Sequence, residues 1–170
     1  KSSAASDVYK RQVWGGDRSR EVRWKQQGNT YSDIANMGGG IVSTVNSTKS
    51  LSERDLFLIA KKRIMTSLRN GTTHIETKSG YGLDTSTEIK LLKVAKQLSE
   101  DNDTPSVDST WLGAHAIPDK HTLESYTEEI ISEQLPLVAE TKLARSADVF
   151  CEPGWFGIDE SEQILEAAKS

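Results

Sequence analysis

From Ser50 onward the chain alternates between stretches in which apolar residues recur every three to four positions and short runs rich in β-branched residues. The first helical stretch begins at Ser52, an N-cap residue with Asp55 three positions on. Phe57, Ala60, Ile64 and Leu68 follow on one face, and Gly71 after Asn70 supplies a stop. Thr72 to Lys78 reads as a strand closed by the turn residues Ser79, Gly80 and Gly82. A second helix is predicted from near Thr85, with Glu88 placed for a capping box and Leu91, Ala95 and Leu98 as its apolar face, and the loop Asp101 to Pro105 ends it. A strand over Ser106 to Leu112 leads into the loop Gly113 to Pro118. Next comes a helix from about Leu123 to Leu135, which Pro136 kinks or restarts. A strand over Ala147 to Cys151 and a helix from about Asp159 complete the pattern.

The strands end near Lys78, Leu112 and Cys151, roughly 35 to 40 residues apart, and a helix follows each one. That is the rhythm of βα units in a parallel sheet. The expected fold class is therefore α/β: a partial (β/α)8 barrel of three to four units, incomplete because a whole barrel takes about 250 residues. A smaller flavodoxin-like sheet is the alternative. Residues 13–170 are assigned to the barrel part. Lys1 to Gln12, Ser/Ala-rich and then charged, joins abruptly to Val13-Trp14-Gly15-Gly16 and reads as a non-native scar or disordered leader.

Composition narrows the function classes. With 21 basic and 25 acidic residues, a net charge of −4 and scattered aromatics, the chain offers no basic face for nucleic acid. No apolar run approaches the roughly 20 residues needed to cross a bilayer, and no secretion signal is evident, so a cytoplasmic location is expected. Cys151 is the only cysteine, which excludes an internal disulfide and a CxxC metal knuckle.

In a β/α barrel the chemistry sits at the C-terminal ends of the strands. Those positions hold Lys78, Ser79 and Tyr81, then His115, then Cys151 and Glu152. Lys78 is a Schiff-base candidate if burial lowers its pKa, or else pairs with a carboxylate such as Glu76. His115, between small neighbours, is open to a ligand or plays a structural part. His121 is read as a surface residue, His74 as a packing residue, and Cys151 as a buried hydrophobe rather than a nucleophile. Gly15-Gly16 and Gly38-Gly39-Gly40 match no phosphate-binding fingerprint and are read as tight turns or close backbone approach. Arg18 can clamp a carboxylate or serve as an ion-pair partner.

Five segments in register are more specific than any class argument. Gly15-Gly16-Asp17-Arg18, Gly38-Gly39-Gly40-Ile41, Glu76 to Leu83, Leu112 to Pro118 and Asp148 to Glu152 together resemble the imidazolonepropionases, metal-dependent amidohydrolases, from about Val13 to Ser170. The resemblance implies a (β/α)8 barrel and hydrolysis of the imidazolone ring of 4-imidazolone-5-propanoate to N-formimidoyl-L-glutamate in histidine degradation. It implies a zinc or iron ion that activates water, and commonly a homodimer. Carried over by position, Arg18, Tyr81 and His115 are substrate-binding residues. The family's His-x-His metal pair falls on Tyr9 and Arg11, which cannot replace imidazoles at such a site. The other metal ligands and the proton-handling glutamate are expected beyond Ser170, so no metal and no catalytic residue is expected on these 170 residues, and the fragment is expected to be inactive alone. Two other readings stay open: a non-catalytic protein binding a small carboxylate or heterocycle, and a Schiff-base barrel aldolase using Lys78.

Overall fold

The computed structural model describes residues 12–169, so Tyr9, Arg11 and most of the supposed leader lie outside the described residues. Among the described residues four helices precede the sheet: α1 (Ser19–Gln26), α2 (Tyr31–Asn36), α3 (Gly40–Ser50) and α4 (Glu53–Arg69). Then β1 (His74–Lys78), α5 (Thr85–Glu100), β2 (Ser106–Ala114), α6 (Leu123–Glu129), α7 (Leu135–Thr141), β3 (Ser146–Val149) and α8 (Ile158–Ala167) alternate as the pattern predicts. The three strands are parallel and lie in the order β1-β2-β3, each beside its sequence neighbour. Sequential parallel order is shared by a segment of a β/α barrel and by the last three strands of a flavodoxin-like sheet.

The two faces of the sheet differ sharply. Ile75 and Val107 pack with Leu56, Ala60 and Ile64 of α4 and Leu91, Val94 and Leu98 of α5. Trp111, with Ala147 and Val149 against it, packs with Ile89 and Leu92 of α5, Tyr126, Ile130 and Leu135 of the α6–α7 region, and Ile164 of α8. The helices thus cover one face, where each buried Leu or Ile contributes roughly 1.5–3 kcal/mol. The other face is polar. Thr110 donates to Glu76 at 2.6 Å, Lys78 pairs with Asp148 at 2.6 Å, and Arg145 reaches Asp108.

Several local expectations are corrected. The buried positions of α4 are Leu56, Ala60 and Ile64, so Leu56 rather than Phe57 leads the apolar stripe. Ser52 does cap α4, accepting from the Asp55 amide. In α5 the cap is Asp84, whose carboxylate accepts from Thr87 N at 2.8 Å, and Glu88 is turned away to another task. Of the two alternatives for Pro136, a kink or a new helix, the second holds: α7 begins at Leu135 with the proline in its first turn. A wide π turn over Ile130–Gln134 joins α6 to α7 and shifts the hydrogen-bond register just before the proline, which has no N–H to give. His74 is exposed rather than packed, and Cys151 is exposed rather than buried. Gln12, assigned to the leader from sequence, is buried at 4% exposure, with its carbonyl held by Arg63 at 3.0 Å. Among the described residues no helix is long and apolar enough to cross a membrane.

Candidate functional site

The C-terminal end of β2 is gripped from both sides, and this places the sequence-derived residues together. Ser79 N donates to Thr110 O at 3.1 Å and Phe150 N to Ala114 O at 2.9 Å, so the loops after β1 and β3 flank the loop after β2. Tyr81 and His115 consequently stand side by side, ring centroids 6.3 Å apart and tilted by 42°. Phe150 also stacks on His115, at 5.3 Å and 14°, and Trp155 meets the edge of Phe150 at 6.2 Å. Phe150 and Trp155 are each 38% exposed, so the row of rings opens to solvent.

The Tyr81 loop owes its shape to Glu88. The loop doubles back over the start of α5, and the Glu88 carboxylate accepts from Gly80 N at 2.8 Å, Gly82 N at 2.7 Å and Leu83 N at 3.0 Å. Ser79 spans the base of the loop, its Oγ accepting from Leu112 N at 2.9 Å and its hydroxyl also bonding Glu88. Burial pushes the Glu88 carboxyl up from the ordinary glutamate value, although the Ser79 hydroxyl and the three amides pull it down. Gly80 has φ +97°, and a Cβ there would meet Leu112 O at 2.7 Å, so the glycine is required twice over. Leu83 takes φ +56° without that freedom, held there by its bond to Glu88.

Arg18 belongs to a different constellation. Its Nε and Nη2 donate to the two Glu21 oxygens at 2.8 and 2.6 Å, a bidentate pair that fixes the guanidinium plane. Glu21 also accepts from Gly40 N at 2.8 Å, so one carboxylate ties the Gly-Gly-Asp-Arg and Gly-Gly-Gly-Ile segments together. The Arg18 guanidinium holds the Glu21 carboxyl below the ordinary range against the opposing effect of burial. Gly15 N donates to Thr48 Oγ1 at 3.0 Å, which docks the preceding segment on α3.

Lys78 is held in the Asp148 pair, with Glu76 at 3.7 Å, so the carboxylate-pairing alternative is the one observed. Among the described residues no group of three His, Cys, Asp or Glu side chains comes together that could hold a metal ion. A groove of about 970 Å³ beside α6 and α8, lined by Thr122, Thr127, Ile131, Glu160 and Gln163, contains none of Arg18, Tyr81 and His115. Sequence reasoning missed Glu88, Glu21 and Phe150 as supporting residues. The pair Gly80 and Gly82 shortly before Glu88 was a signal of close backbone approach.

No family model matches the chain. Curated relatives do. An imidazolonepropionase of Shewanella sediminis is 44% identical over 165 residues, 96% of this chain and 40% of that protein. The imidazolonepropionase of Shewanella woodyi is also 44% identical over 165 residues, with 96% and 40% covered. That of Clostridium tetani is 46% identical over 161 residues, 92% of this chain and 38% of the relative. The chain spans about two fifths of the length of the curated relatives it matches. Over nearly its whole length, then, it is homologous to a segment of the imidazolonepropionases.

Proposed function

We propose that the chain is part of a hydrolase of histidine degradation that opens the imidazolone ring of 4-imidazolone-5-propanoate, giving N-formimidoyl-L-glutamate, and that it supplies the substrate-holding side of the site. The observation that carries this reading is identity above 40% to proteins named imidazolonepropionase along 92–96% of the chain. The sequential order of parallel strands, with helices on one face and polar side chains on the other, supports part of a (β/α)8 barrel, whose interior that polar face would line.

In this reading His115 and Tyr81 offer the imidazolone a ring face and hydrogen-bonding groups, and Phe150 holds the His115 ring in plane. Arg18 stands in the separate Glu21 constellation, which fixes its guanidinium plane, and is assigned the propionate carboxylate on the family resemblance alone. No hydrolytic step is assigned to the described residues, among which no metal-holding group comes together. The 170 residues alone are proposed to bind substrate without turning it over, and the complete enzyme to act as a dimer with zinc or iron.

The test has two arms. The purified chain, supplied with zinc or iron, is mixed with 4-imidazolone-5-propanoate and followed by loss of substrate absorbance. Separately, imidazole-4-propanoate is titrated calorimetrically without metal. Binding without turnover is expected, and Arg18→Ala, Tyr81→Phe and His115→Ala each weaken binding about tenfold or more, the equivalent of one lost hydrogen bond to a charged or ring partner. Metal-dependent turnover would overturn the claim of inactivity, and no binding would overturn the assigned substrate side. The aldolase alternative finds little support, since a nucleophilic Lys78 would first have to leave the Asp148 pair.

A further inference from the structure

Glu88 is a carboxylate with 1% exposure whose hydrogen bonds come from neutral groups, three amides and the Ser79 hydroxyl, an arrangement that costs free energy unless the group organises something in return. What it organises is local: its three amide bonds go to Gly80, Gly82 and Leu83, which bracket Tyr81 on both sides. The loop they shape leaves no room for side chains at its glycines and holds one non-glycine residue in the left-handed region. Gly80 sits at φ +97° and Leu83 at φ +56°, and a Cβ at Gly82 would lie 2.7 Å from Glu88 Oε1. Such a backbone persists only where its surroundings over-determine it. Ser79 couples the loop to the strand that carries His115 through Leu112 N. The Tyr81 ring is itself packed against the core of α4 and α5. Position and orientation of Tyr81 are thus set from one side by packing and from the other by a single carboxylate.

We infer that Glu88 is a positioning residue of the substrate site: it fixes the Gly80–Leu83 loop so that Tyr81 faces His115 at the separation the heterocyclic substrate needs. This rests on the substrate reading proposed above. The Glu88 hydrogen bonds go to the loop backbone and to Ser79, not to either ring. Glu88 acts through the backbone, and the Tyr81–His115 contact is its output.

The experiment is a double-mutant cycle on the chain, with imidazole-4-propanoate as probe and NMR as a second readout. Glu88→Gln keeps the size and an acceptor oxygen for two of the amides while removing the third bond. Its binding is expected to weaken about tenfold, close to the loss for Tyr81→Phe, and the double variant is expected to be little worse than either alone because coupled residues are non-additive. Glu88→Asp, which keeps the charge but shortens the reach, is expected to fall between wild type and Glu88→Gln. Additive losses in the double variant would overturn the proposal, as would amide exchange rising equally across β1 and β2 rather than at Gly80, Gly82 and Leu83. Without ligand, the ring-current shift of the His115 ring protons in wild type is expected to diminish in Glu88→Gln as in Tyr81→Ala. If wild type fails to bind the probe, the substrate reading falls. The His115 shift still decides whether Glu88 sets the two rings, and an unchanged shift in Glu88→Gln sinks that claim.

Discussion

Two glycine loops in this molecule are each held by one buried glutamate, and the two glutamates are held differently. Glu21, at 7% exposure, accepts one backbone amide, from Gly40, and pairs with Arg18. Glu88, at 1% exposure, accepts three amides and a hydroxyl, all neutral. Arg18 keeps 38% of its side chain exposed, so losing Glu21 lets water recover the cation. Nothing comparable is available to the amides around Glu88. The same residue type therefore serves one loop as a replaceable ion-pair partner and the other as the internal acceptor that the backbone depends on.

The widest separation between the two is expected from truncation. Glu88→Ala strands two buried amides and a part-buried one and leaves a cavity, at a cost of about 3–5 kcal/mol. Glu21→Ala strands one amide and an arginine that can turn to solvent, at about 1–2 kcal/mol. Urea unfolding of both variants measures the difference. Equal losses would mean that the neutral and ion-paired carboxylates do the same job.

A smaller contrast separates the glycines themselves. Gly80→Ala must both adopt φ +97° and push against Leu112 O, so about 2–4 kcal/mol is expected. Gly38 has φ +79° with nothing within 4 Å of the added carbon, and Gly38→Ala is expected to cost only about 1 kcal/mol. Thermal denaturation of the pair tests whether steric approach adds to dihedral strain at the loop held by Glu88.

How much of this was legible in the sequence depends on what each element buries. α4, α5 and β2 bury aliphatic stripes, and their periodicity announces them. Residues 13–50 gave no such signal. The one buried residue of α1 is Glu21, and α3 buries Gly40, Thr44, Val45 and Thr48, so a hydrophobic pattern is nearly silent there although the helices form. Tyr81 and His115 could be placed at strand ends by counting, and they do meet. Glu88 could not be read correctly, because a glutamate in the first turn of a helix looks the same in sequence whether it caps its own helix or reaches back into the preceding loop. Asp84 took the cap, which left Glu88 for the loop. Phe150 looked like one more apolar strand residue. β3 ends at Val149, and Phe150, its amide still bonded to Ala114 O, stacks on His115.

The subtlest expected difference is in pH dependence, and its sign follows from the partners. Arg18 lowers the folded-state pKa of Glu21 below the ordinary 4.5, so the folded chain binds that proton less tightly than the unfolded chain. The stabilisation from Glu21 is therefore present above the ordinary glutamate value and is lost as pH falls through the lowered one. Burial raises the pKa of Glu88 above 4.5, so its proton favours the folded state. That contribution is fully present below the ordinary value and is lost as pH rises through the raised one. Melting temperatures of wild type, Glu21→Gln and Glu88→Gln across the acid range read the two terms separately. The advantage of wild type over Glu21→Gln is expected to shrink as the solution is acidified below the ordinary glutamate value. The advantage over Glu88→Gln is expected to grow from neutral pH downward, since only wild type can take up the stabilising proton. Slopes of the same sign would show that four neutral donors hold the Glu88 charge as well as an arginine holds that of Glu21, and the distinction between the two loops would then be one of bond number alone.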